Sequence, residues 1–305
     1  MHVATEALER QLQLARTLKG AIHSVNARGL PAFASRGEHV RDEAYQWAND
    51  HALLGIAQPM YWTRETVEAV VAMAPSFNLT EIVCDRELLY CDVAFCWFET
   101  SPFVLSLRTE GEISLRALTW AFVASNPSRS VMISLTAYGV KDGTLQPVTW
   151  SSVQEGASLD TFTEPDGASG LSDTQLERWR SQCRQLFRFV VCAGTFLRQK
   201  IAVADPLEPD RHARKRLAAA EWKGQSIVSV ISLREREHRD PQGDVESELQ
   251  SGRNFQWQWM VRAHTRQQFY PSLGKRLPIL IGPYIKGPEG KPLKPRTVPI
   301  IVVNR

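Results

Sequence analysis

The sequence predicts an α+β fold, and three observations carry that prediction. Apolar residues recur at helical spacing over 4–26 and, more strongly, over about 174–202. Between them, from Ile82 to Tyr138, segments rich in β-branched and aromatic residues are separated by polar or proline-containing breaks, the texture of antiparallel strands. Further strand-like segments close the chain at about 255–270, 277–286 and 297–303.

The first helix rests on Leu8, Leu12, Leu14, Ala15, Leu18, Ile22 and Val25, with Gly29 and Pro31 as its stop. A second is predicted over about 38–54. A third begins after Thr63, where Glu65 and Glu68 favour a helix N-terminus, and ends near Pro75. Residues 1–80 therefore read as a helical N-terminal unit. The strand segments are Ile82–Cys84, Leu88–Phe98, Phe103–Leu107, Ile113–Val123 and Val131–Tyr138, and they form an antiparallel β region over 81–150. Residues 151–173 are polar and rich in Gly, Ser and Asp, which predicts a linker.

Asp173 is placed to cap the next helix. Along that helix Leu176, Trp179, Cys183, Leu186, Phe187, Val190 and Val191 fall three and four apart, and Arg178, Arg180, Arg184 and Arg188 occupy other faces. A short basic segment, 211–216, precedes a strand at Ile227–Leu233. Residues 234–253 are almost wholly polar and read as a loop. The C-terminal unit, 174–305, is thus a basic α+β domain.

Ordinary globular composition excludes a disordered, collagen-like or coiled-coil chain: of 305 residues, 43% are hydrophobic and 23% charged. The net charge of +3 conceals a division. Residues 1–174 hold 12 Lys/Arg against 21 Asp/Glu, and residues 175–305 hold 24 against 12. The N-terminus has neither the basic start nor the apolar core of a signal peptide. The apolar run at Phe189–Leu197 is far short of the roughly 20 residues that span a bilayer. A cytoplasmic protein with no membrane partner is expected. The five cysteines form no CxxC pair and no zinc-finger spacing, so buried reduced thiols are expected, with no metal and no cofactor. No GxGxxG follows a strand, and GPEGKP at 287–292 lacks the spacing of a phosphate-binding loop.

The segment Gln256–Tyr270 carries the most chemistry. Strand side chains alternate faces, so a regular strand puts Trp257, Trp259, Val261, Ala263, Thr265, Gln267 and Phe269 on a mostly apolar face. Arg262, His264, Arg266, Gln268 and Tyr270 then form one row on the other. That row combines a group titrating near neutrality, two permanent cations that grip phosphate bidentately, an amide and a phenol. His264, Arg266 and Tyr270 are candidate catalytic residues for phosphodiester chemistry. Arg262, Arg266, Gln268, Lys275 and Arg276, with Arg211, Arg214, Lys215 and Arg216, are candidate nucleic-acid contacts. A strand with one wet face needs alternate polar residues in any case, so a solvated face stands beside both readings.

The chain also resembles a family of uncharacterised proteins of actinobacteria, their phages and integrated elements. The resemblance rests on Leu88–Leu105 with Ile113–Trp120, on Leu186–Lys200, on the basic run before the strand ending Leu233-Arg234, and on Trp259–Leu293. The last reads W-x-V-R-x-H-x-R-x-Q-x-Y-P and then K-G-P-E-x-x-P-L, with Ala263 and Thr265 where the family carries glycine and an aromatic. It covers about two thirds of the chain, implies a phage or mobile-element setting, and supplies no activity. Three functions are consistent with the sequence. The first is nucleic-acid binding, to RNA or DNA, by the basic C-terminal domain. The second is a metal-independent ribonuclease or toxin-type enzyme using the His264 row. The third is an interaction or inhibitor protein whose acidic N-terminal half engages a host or phage protein.

Overall fold

The computed structural model describes residues 3–28, 51–107, 111–124, 131–141, 143–162, 172–199, 201–222, 224–233, 258–261, 264–282 and 284–288. Its elements are α1 (Val3–Arg28), β1 (Gln58–Trp62), α2 (Arg64–Met73), β2 (Val93–Phe98), β3 (Val104–Leu107), β4 (Gly111–Ala124), β5 (Val131–Lys141) and β6 (Thr144–Gln154). These are followed by α3 (Asp173–Arg198), β7 (Ala202–Leu207), α4 (Arg211–Ala219), β8 (Val228–Leu233), β9 (Trp259–Val261), β10 (His264–Tyr270), β11 (Lys275–Ile281) and β12 (Tyr284–Lys286). The fold is α+β. One large mixed sheet runs in the order β6-β5-β4-β2-β1-β8-β7, with β3 paired to β4, and two small antiparallel ribbons pair β10 with β11 and β9 with β12.

Within the large sheet β1 is parallel to both β2 and β8, and every other pairing is antiparallel. Alternation along the central strands feeds two cores. Met60, Trp62, Ala94, Cys96 and Phe98 point to one side, where Val67 and Val70 of α2 and Leu186, Phe189, Val190 and Phe196 of α3 cover them. Tyr61, Phe95 and Trp97 point to the other, where Leu8, Leu14 and Leu18 of α1 and Leu217 of α4 pack. The sheet is therefore a middle layer with helices on both faces. Phe189 is the aromatic centre of the first core, with its ring 5.4 Å from Phe98, 5.9 Å from Phe103 and 6.1 Å from Trp62.

Several sequence expectations are corrected. The 1–80 unit is not wholly helical, because β1 lies inside it at the middle of the sheet. A strand covered on both faces has no polar alternation, so QPMYW carries no period-two signal. Residues 82–92 hold one short 3-10 turn, Arg86–Leu88, and a bridge from Val83 to Ser158 rather than strands. The stretch from 151 begins as the end of β6, not as linker. Ser172, not Asp173, caps α3: its side chain accepts from Gln175 N–H while the Gln175 side chain accepts from Ser172 N–H. That helix ends at Arg198, and β7 follows. The basic run 211–216 is the helix α4, capped by Asp210, whose carboxylate accepts from Ala213 N–H at 2.7 Å. The predicted strand 255–270 is two strands belonging to two ribbons. Of the helix predicted over about 38–54, residues 51–54 are helical and residues 38–50 lie outside the described residues, as do the loop 234–253 and the strand 297–303. So do Arg262 and Ala263. Strand pairing also crosses the acidic–basic boundary, since β7 and β8 of the basic half complete a sheet begun by the acidic half.

Candidate nucleic-acid interface

The β10–β11 hairpin turns at Pro271–Gly274, where Leu273 N–H donates to Tyr270 O and Gly274 takes a positive φ of 64°. The register pairs His264 with Ile281, Arg266 with Ile279, Gln268 with Leu277, Phe269 with Arg276 and Tyr270 with Lys275. Directly opposed residues share a face, so His264, Arg266 and Gln268 look across at Ile281, Ile279 and Leu277, and only Tyr270 meets a polar residue, Lys275.

That geometry separates the predicted catalytic residues. At the usual strand rise of about 3.3 Å per residue, His264 and Tyr270 stand about 20 Å apart along one strand with parallel side-chain directions. They do not converge on one reacting phosphorus. His264 and Tyr270 are half-buried, and Arg266 is exposed, donating to Gln268 Oε1 at 2.7 Å. Gln268 in turn donates to Phe269 O at 3.1 Å.

The root and the tip of the hairpin are fixed to the body differently. Thr265 Oγ1 donates to Ser76 O at 3.0 Å, and Leu280 N–H donates to Gln199 Oε1 at 3.2 Å. Nearer the tip, Lys275 Nζ donates to both carboxylate oxygens of Asp85 at 3.0 and 2.8 Å. Beside that pair, Arg198 donates to Glu87 O and, at 3.3 Å, to Thr195 Oγ1. Burial lowers the pKa of Arg198, and the Tyr270, Glu87 and Asp85 charges oppose that. Lys275 thus spends its charge on the body.

The remaining predicted contacts fall elsewhere. α4 packs with α1 on one face of the sheet, while Leu280 of the hairpin packs against the core on the other. Arg211, Arg214, Lys215 and Arg216 therefore form no common surface with Arg266 and Arg276. Arg216 pairs with Glu9 of α1, and Arg214 lies 4.0 Å from Glu208. Arg211 and Lys215 are exposed without an ion pair among the described residues.

One exposed aromatic escaped the sequence reading. Parity assigns Phe269 to the apolar face, yet it is 48% exposed, directly opposite the exposed Arg276. Leu273 in the turn is 43% exposed. The available signal was position: an aromatic two residues before a Pro-Ser-Leu-Gly turn sits close to a hairpin turn, and here its ring is left uncovered.

The five cysteines are free. Burial pushes the thiols up, to about 11 for Cys84 and Cys91 and about 12 for Cys183, so none is poised as a thiolate. Among the described residues no group of three His, Cys, Asp or Glu side chains could hold a metal ion, and no helix is long and apolar enough to cross a membrane. No protein-family model, curated protein or solved structure matches the chain.

Proposed function

We propose that the protein binds single-stranded nucleic acid through the outer end of the β10–β11 hairpin. The observation that carries this reading is the exposed Phe269 set directly across from Arg276. Opposed residues on an antiparallel pair bring their Cβ atoms within about 5 Å. An exposed ring offers a stacking platform for a base, and the neighbouring guanidinium meets the phosphate that follows it. Arg266 adds a cation on the other face of the ribbon. The phage or mobile-element setting and a cytoplasmic site of action belong to the same reading; the first rests on the resemblance carried chiefly by Trp259 to Leu293, the second on the N-terminus and the short apolar run at Phe189–Leu197.

Fluorescence anisotropy with labelled 12-nucleotide RNA and DNA single strands tests it. Binding at about 50 mM salt should weaken steeply by about 200 mM. Phe269→Ala should raise Kd by about 5-fold or more, as loss of one stacked base does. Arg276→Gln should reduce the salt slope by about one phosphate contact. Arg180→Gln, on α3, should change neither. Absence of binding at low salt, or indifference to both hairpin substitutions, overturns the proposal. Cleavage of the RNA in EDTA that is lost in His264→Ala would replace it with the nuclease reading.

A further inference from the structure

A second cationic site lies on the opposite side of the sheet, and nothing in the hairpin reading uses it. Trp97 of β2 is only 2% exposed, yet two guanidinium groups cover its ring. Arg10 of α1 lies 5.2 Å from the ring centroid and Arg116 of β4 lies 5.1 Å from it. Each cation is therefore within the sum of those distances of the other.

The chain bends to place Arg116 there. The β4–β5 register shifts between Leu115 and Ala117. Leu115 and Leu118 face the α3 core while Ala117 faces the α1 core, so the bulge turns Arg116 and Ala117 to the same side. Without that extra residue Arg116 would point into the α3 core. Neither arginine has a carboxylate partner among the described residues. Among the described residues Arg10 donates to its neighbour Gln13, at 3.2 Å. Both residues are half-exposed, so both can be reached from solvent. The indole N–H of Trp97 is buried with no acceptor. The site also has a characteristic place in the fold. Trp97 and its register partner Tyr61 stand at the carboxyl ends of the parallel strands β2 and β1, where open sheets collect ligands. Two carboxylates bear on this corner: Glu6, one turn before Arg10, and Glu99, which accepts from Arg64 N–H at 2.7 Å.

We infer that Arg10 and Arg116, braced on Trp97, form a binding site for a small phosphate-class oxyanion, such as inorganic phosphate or a phosphate monoester. Two like charges held on one ring repel each other, and an anion between them relieves that repulsion while taking bidentate hydrogen bonds from both forks. A carboxylate presents only two oxygens in one plane, whereas a tetrahedral phosphate can serve two guanidinium planes at once.

Titration calorimetry and thermal melts of the full chain, with inorganic phosphate and pyrophosphate at ionic strength held constant with chloride, test the site. Both anions should bind and raise the melting temperature of the native chain. Arg116→Gln and Arg10→Gln should each weaken binding about tenfold or more. Any general effect of phosphate on folded proteins is common to both chains and cancels. Trp97→Phe should remove the anion-induced change in tryptophan fluorescence. Arg116→Lys, which keeps the charge but loses the fork, should fall between native and Arg116→Gln. Phe269→Ala should leave phosphate binding intact, which separates this site from the hairpin. No response to either anion at about 10 mM, equal binding by Arg116→Gln, or tighter binding of acetate than of phosphate each overturns the inference. So does loss of oligonucleotide binding in Arg116→Gln without any phosphate response, which would assign Arg116 to the nucleic-acid surface.

Discussion

Lys275 Nζ lies 3.0 and 2.8 Å from the two carboxylate oxygens of Asp85, 190 residues earlier in the chain. The residue that sequence reasoning offered to a phosphate is thus already committed to an acid of the body, and it fastens the hairpin there. Asp85 also accepts from Glu87 N–H at 2.8 Å, capping a 3-10 turn. Its carboxyl is raised by burial, but the bonds from Lys275 and Glu87 N–H and the charges of Lys275 and Arg198 outweigh this, so its pKa falls below the ordinary aspartate value of 3.8.

A lowered carboxyl pKa stabilises the fold above the unfolded-state value, and that contribution is lost as pH falls through the folded-state value. The Asp85 contribution is therefore complete above about pH 5 and declines below about pH 4. Asp85→Asn should cost about 1 kcal/mol at pH 7, the scale of a half-exposed ion pair with its hydrogen bonds. The cost should shrink towards pH 3. Urea unfolding of both chains at pH 7 and pH 3 measures this, and an equal cost at both would show that the charge is not the source.

Ser172 and Gln175 close the capping box that starts α3, exposed and distant from the hairpin. Ser172→Ala leaves Gln175 N–H to water and should cost about 1 kcal/mol. Denaturant midpoints should show the loss while oligonucleotide affinity stays unchanged.

At Gly194 α3 comes close to the backbone of Leu88. A Cβ there would lie 2.2 Å from Leu88 O, a backbone atom with no freedom to withdraw. Gly194→Ala gains helix propensity but must push α3 off the turn at Arg86–Leu88, which carries Asp85 and the Arg198–Glu87 bond. The expected result is destabilisation of about 3 kcal/mol. A rise in melting temperature would contradict the packing.

These contacts explain which parts of the fold were legible. α1 and α3 were readable because each buries one stripe, so Leu8, Leu12, Leu186 and Val190 repeat at helical spacing. β4 and β5 were readable from their β-branched and aromatic content between breaks. β1 was not, since both its faces are covered and it lies between helices. β7 was lost because Ala-Val-Ala-Asp-Pro-Leu has too little apolar content to separate it from the end of α3. The candidate site divided in the same way. The His264–Tyr270 row was readable as an alternation, but its partner strand was not, and Ile281, Ile279 and Leu277 decide what that row faces. Arg10 and Arg116 could not be associated from sequence at all. They are far apart in the chain, and the bulge that turns Arg116 leaves no signature in Ser-Leu-Arg-Ala-Leu.

Tyr61 reports on that same corner through its titration. It is buried between β2 and β8, and its pKa is raised to about 12, chiefly by burial, with the charges of Glu99 and Glu6 adding and that of Arg116 opposing. A phenol whose folded-state pKa is raised contributes stability that is full below its unfolded value, near 10, and is lost as pH rises through the folded value. Stability should therefore fall between about pH 10 and pH 12, and Tyr61→Phe should flatten that limb. The tyrosinate absorbance near 295 nm should include one late-titrating tyrosine, absent in Tyr61→Phe. Arg116→Gln removes a cation that favours the phenolate, so it should move that titration still higher. An unchanged midpoint in Arg116→Gln would place the guanidinium away from Tyr61 and Trp97.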